Sequence, residues 1–116
     1  MKLHGVEIEF DLFDAEITEK YEAAAMQFQQ DSSKPVDERL LSHAIRSQCE
    51  MLFHFFDHIF VEGFHKQLFG ERTNLSVCLD AFEEFTQHVK EQRAAMDARL
   101  KRYSPERSIS TYEPTP

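Results

Sequence analysis

Between Leu41 and Phe60 apolar side chains return every third or fourth residue, at Leu41, Ile45, Cys49, Leu52, Phe56 and Ile59, with Phe60 beside the last. That recurrence is the period of an α-helix with one broad buried face, and it dictates a helical core more firmly than any other stretch of the chain. Ala44, Phe53 and Phe55 flank the face. The helix is expected to open at Asp37, behind Pro35, and to run to about Glu62, where Gly63 stops it. At about 100° per residue from Ile45, His54 lies roughly 180° from the core direction and His58 roughly 140°. Both imidazoles are therefore expected in water.

The remaining segments arrange themselves around that helix. Val6, Ile8, Phe10 and Leu12 alternate with Glu7, Glu9 and Asp11, the period of a strand with one wet face. His4-Gly5 suits a tight turn back to Lys2 and Leu3, although so short a strand needs a partner edge, in this chain or another. Asp14 is placed to cap a first helix, with Glu16 and Glu19 near its positive end and a stripe of Ile17, Tyr21, Ala24 and Phe28 reaching about Gln30. DSSKP, residues 31 to 35, reads as a polar loop. After the core helix, Phe64, Leu68 and Phe69 form an apolar connector to Gly70, and Asn74 caps a last helix extending to about Tyr103.

That last helix has two characters. Leu75, Phe82, Val89, Met96 and Tyr103 fall seven residues apart, but the companion positions Cys78, Phe85, Gln92 and Arg99 lose their apolar nature after Phe85. At ~1.5 Å per residue the helix is about 43 Å long, more than a compact domain of this size requires. Its second half is thus expected to project or to pack on something else. SPERSISTYEPTP, residues 104 to 116, is rich in Ser, Thr and Pro and is expected to be a disordered tail. The fold expected is mainly α: a short N-terminal β-strand or hairpin, three helices of which the last is long, and the tail. Residues 1–103 make one domain.

Composition narrows the function classes. Eleven Phe give 116 residues enough apolar mass for one core, while 29% charged residues keep the surface wet. Residues 1–89 carry 7 Lys plus Arg against 17 Asp plus Glu, a balance of −10, and residues 90–107 carry 6 against 3, a balance of +3. An acidic body repels nucleic acid, which is not expected as a partner. The apolar stretch from Met51 to Phe60 is interrupted by His54, Asp57 and His58, so no membrane span is expected. MKLHGVEIEF has no basic flank followed by an apolar run, so export is not expected either. Cys49 and Cys78 occupy core-facing positions, where an unpaired thiol behaves as a small hydrophobe.

Catalytic chemistry is not indicated. His54 and His58, with Asp57 or Glu50, supply an exposed i, i+4 pair rather than the three or four shielded ligands of a metal site. Glu62 and His65 make a lone Glu-x-x-His where di-iron bundles need two. No nucleophile elbow or phosphate loop occurs, and Glu83 and Glu84 diverge on their helix. Neither cofactor nor metal is expected. Most phenylalanines are core, but three helices do not cover every ring, so Phe53, Phe55 and Phe64, at the flanks, are candidates for a partner surface, as are Met96, Leu100 and Tyr103 on the last helix.

The stretches FDLFDAE (10–16), Tyr21-Glu22, FFDHIFVEG (55–63), LFG (68–70) and NLSVCLDAFEEF (74–85) carry a resemblance. Over about residues 6–89 the chain resembles small proteins, themselves without an assigned role, of tailed phages and prophages of Gram-positive bacteria. These in turn are similar to tail assembly chaperones. Where such relatives often read Gly-Glu-Gly-Thr after the phenylalanine-rich helix, this chain has Val61, Glu62, Gly63 and Phe64, so nothing tied to that turn is carried over. The resemblance implies a non-enzymatic tail-assembly accessory or structural role in the host bacterial cytoplasm, with or without incorporation into the virion. Other tail proteins or a second copy are the implied partners. The alternative is a prophage-encoded regulatory or anti-host module whose acidic body mimics nucleic acid.

Overall fold

The computed structural model describes residues 1–35 and 39–103. The chain opens as a hairpin of β1 (Lys2–Leu3) and β2 (Val6–Glu7), with Lys2 opposite Glu7 and Leu3 opposite Val6. His4 (φ 51°) and Gly5 (φ 79°) both take positive φ, as a type I′ turn demands of its two central residues. The strand's partner edge thus lies in its own chain. Ile8, Phe10 and Leu12 are buried while Glu9 and Asp11 are exposed, so the two-residue period persists after the ladder ends at Glu7.

Helix α1 (Ala15–Ser32) starts where Asp14 Oδ1 accepts the Glu16 and Ile17 amides at 2.9 and 3.3 Å. Helix α2 spans Leu41–Ile59. Asp37, the expected opening residue, lies outside the described residues; Leu41 is 76% exposed rather than part of the core face, so the buried stripe of α2 begins only at the half-buried Ile45. The expected connector is itself helical. Gly63 adopts a left-handed conformation (φ 84°) that ends one chain direction and starts α3 (Phe64–Phe69), and the Gly70 amide closes it on the Lys66 carbonyl at 2.8 Å. Among the described residues the fold therefore has four helices, one of them short. Asn74 Oδ1 accepts the Val77 amide at 3.2 Å at the head of α4 (Leu75–Tyr103), a helix of 29 residues. Residues 104–116, the expected tail, lie outside the described residues.

The core is a packed set of rings. Phe55 meets Tyr21 and Phe28 of α1 on one side and Phe82 and Phe85 of α4 on the other, at centroid separations of 5.3 to 6.5 Å, all close to edge-on. Phe85 in turn touches Phe10, Phe56 and Phe60. Such pairs contribute about 0.5–1.5 kcal/mol each beyond their burial. A neighbouring cluster joins Cys49 and Leu52 of α2 to Cys78 of α4. Both thiols are free and buried. Burial pushes the Cys49 thiol up from its ordinary value and the Cys78 thiol up to about 12, so both behave as apolar packing groups.

Candidate functional site

One edge of α4 holds the N-terminal segment through a polar row. Glu84, His88 and Gln92 lie four residues apart, hence on one face. Glu84 Oε1 accepts the His4 amide at 3.2 Å, and His88 Nε2 lies 3.2 Å from the Lys2 carbonyl oxygen. The Gln92 carboxamide accepts the Leu12 amide and donates to the Phe10 carbonyl, both at 2.8 Å. A side chain thus supplies the hydrogen bonds that a neighbouring strand would give Phe10 and Leu12. This clasp brings the start of α1 beside the second half of α4, and the Arg99 guanidinium lies 5.3 Å from the centroid of the exposed Phe13 ring.

Along α4 the core-facing stripe outruns the core. Phe85 and Val89 are buried, Met96 is half-buried against the main cluster, Leu100 is 37% exposed and Tyr103 is 83% exposed. Val89, Met96, Leu100 and Tyr103 nevertheless share one face, since steps of seven, four and three residues return to nearly the same direction. With principal extents of 54 × 30 × 21 Å, the molecule is elongated. Of the basic groups on the projecting turns, Arg99 lies beside the strip, whereas Lys101 and Arg102 lie roughly 130° around the helix from it, Lys101 3.4 Å from Asp97. The expected contact residues Met96, Leu100 and Tyr103 thus form a continuous strip running from half-buried to exposed.

The phenylalanine candidates divide differently. Phe55 is 4% exposed and Phe64 is 6% exposed, so neither offers a partner surface. α1 covers the Phe55 flank of α2, and α3 folds Phe64 back onto Phe60 with centroids 4.6 Å apart. Phe53 is half-buried, stacked on the His65 ring (4.4 Å, 16°) and leaning on Phe69. It lines an open groove with Arg46, Glu50, His54, Asp57 and His65.

That groove contains an arrangement the sequence did not announce. Asp57 Oδ1 accepts the His65 backbone amide at 2.8 Å, and Asp57 Oδ2 faces His65 Nδ1 at 2.8 Å. Eight residues separate the two, so the pairing depends on the turn at Gly63. Its evident effect is structural: the carboxylate ties the first turn of α3 to α2, satisfying an orphan amide. His54 and His58 are exposed as expected. Among the described residues, no three or more His, Cys, Asp or Glu side chains gather closely enough to hold a metal ion, and no helix is long and apolar enough to cross a membrane.

No curated protein and no solved structure matches the chain. A family model covers residues 4–113, from the β-hairpin through α4 and beyond it, and the chain accordingly belongs to the family of unknown function DUF6673.

Proposed function

We propose that the protein is a non-enzymatic accessory of phage or prophage tail assembly that works through protein–protein contacts made by the projecting end of α4. The observation carrying this reading is the stripe of Val89, Met96, Leu100 and Tyr103, which leaves the core while keeping its apolar character. An apolar strip with a charged border, on a stiff helix extending from the body, suits a polypeptide partner better than a small molecule, which needs a concave pocket. The resemblance of residues 6–89 to small tailed-phage proteins supplies the setting: the host bacterial cytoplasm, with tail proteins or a second copy as partners. Co-expression with the adjacent tail genes tests it. Co-purification that Leu100→Asp with Tyr103→Asp abolishes is expected; absence of co-purification, together with normal tails after gene deletion, refutes it.

The acidic body, at −10 over residues 1–89, favours a second reading as a prophage-encoded module that binds a host DNA-binding protein. Capture of such a protein, with release in high salt, distinguishes it from the assembly role.

A further inference from the structure

We infer that Cys49 of α2 and Cys78 of α4 form a redox-responsive staple, a dithiol that a low-molecular-weight disulfide oxidises to a single bond joining the two helices. The inference goes beyond the proposed function and does not rest on it.

Most of the interior is a set of packed rings, but Cys49, Leu52 and Cys78 make a second buried cluster between α2 and α4, surrounded by Phe28, Ile45, Phe69 and Phe82. Both cysteines are fully excluded from solvent, and a hydrogen bond joins thiol to thiol. The two sulfurs therefore already face one another. Cys78 also sits on an anchored turn: its amide donates to the Asn74 carbonyl at 3.1 Å, and Asn74 Oδ1 accepts the neighbouring Val77 amide.

A bond between them closes residues 49–78 into a loop. In an unfolded chain that closure costs conformational entropy, whereas the fold has already brought the two ends together. The bond should thus form with a larger equilibrium constant in the folded chain, and by the same cycle it stabilises the fold by the same factor. Cysteines that serve only as small hydrophobes need no such geometry. Bridging sulfurs that are badly placed strains the native state and reverses the sign.

With oxidised glutathione as the reagent, the thiolate of one cysteine attacks a glutathione sulfur and expels a glutathione thiolate. The second cysteine then attacks the protein sulfur of the mixed disulfide and expels the other glutathione. Two protons and two electrons pass from the cysteines to glutathione, leaving one protein disulfide and two glutathione thiols. Burial pushes both thiols up, Cys78 to about 12, so exchange in the folded chain waits on local opening. A reducing cytoplasm keeps the pair as thiols, and an oxidising medium closes it.

The test is the equilibrium constant of the bond against glutathione, measured on the full chain folded and in concentrated urea. Folded samples are made by diluting both reduced and oxidised chain out of urea into the redox buffer, so that equilibrium is approached from either side. After trapping with N-ethylmaleimide in urea and digestion with trypsin, the bond links peptides 47–66 and 73–90, a product distinct in mass from glutathione adducts. The folded chain should favour the bond at least about tenfold over the unfolded chain. Oxidation should raise the urea midpoint accordingly, by at least about 0.7 M, with the helical circular dichroism kept. A folded-to-unfolded ratio of one or less, glutathione adducts in place of the link, or a midpoint that oxidation leaves unchanged or lowers would each overturn the staple.

Discussion

Replacing Gln92 by Ala removes its hydrogen bonds to Leu12 and Phe10, and a weaker one to the Met1 sulfur, while leaving every aromatic contact in place. The Leu12 amide and the Phe10 carbonyl, each paired at 2.8 Å and partly buried, lose their partner together. A lost hydrogen bond costs about 0.5–1.5 kcal/mol net, and a group left buried and unpaired about 1–3 kcal/mol. Partial access to water holds the sum toward the lower end, and Ala returns a few tenths through helix propensity, leaving an expected loss of about 2 kcal/mol. With a urea slope of about 2 kcal/mol per molar, the midpoint should fall by about 1 M. Hydrogen exchange should report loss of protection at the Leu12 amide specifically. Gln92→Glu keeps the acceptor but turns a carboxylate toward the Phe10 carbonyl, and is expected to cost at least as much at neutral pH. Protonation restores the donor, so the folded state raises that carboxyl's pKa; the variant's deficit should shrink as pH falls into the carboxylate range and return as pH rises. A loss below about 0.5 kcal/mol for Gln92→Ala would mean that the Gln92 carboxamide contributes little to holding the N-terminal segment.

Other substitutions separate core from surface. Phe55→Ala and Phe64→Ala should each lower unfolding free energy by about 3–5 kcal/mol in urea melts, and Phe53→Ala by clearly less, since its ring is only half-buried; equal losses for all three would contradict the packing described. The Cys78 thiol should resist alkylation in the folded protein at pH 8 and react once the chain is unfolded in urea. Because its folded pKa is raised from 9.0 to about 12, its contribution to stability is complete below about pH 9 and is lost as pH rises toward 12. Unfolding midpoints that stay flat from pH 9 to 11 in a chain matched for all other groups would refute that linkage.

Much of this fold could be read from local pattern, and the misses share a physical origin. His4-Gly5, Asp14 and Asn74 announce the hairpin and two helix starts because each acts on backbone groups a few residues away. The outward histidines follow from helical angle alone. Phe55 and Phe64 were misplaced because an angle gives a direction and not what lies there: α1 covers one flank of α2, and α3 folds over the other. The same holds for Gln92. As a break in an apolar heptad it reads as a weakening of the seam, whereas its function depends on a segment 80 residues earlier. The pairing of Asp57 with His65 is hidden for the same reason, since it exists only once Gly63 has turned the chain. The strip at the end of α4 was legible because it needs no neighbour to define it.

That strip carries the central claim: one apolar stripe on α4 serves folding up to about Met96 and contact with other polypeptides beyond it. The most direct measurement combines Leu100→Asp with Tyr103→Asp and records unfolding free energy of the variant alongside its association with co-expressed tail proteins. Stability within about 0.5 kcal/mol of the unaltered chain, as for surface substitutions, together with lost association, is the predicted result. A loss of several kcal/mol, or association that survives both charges, would contradict it.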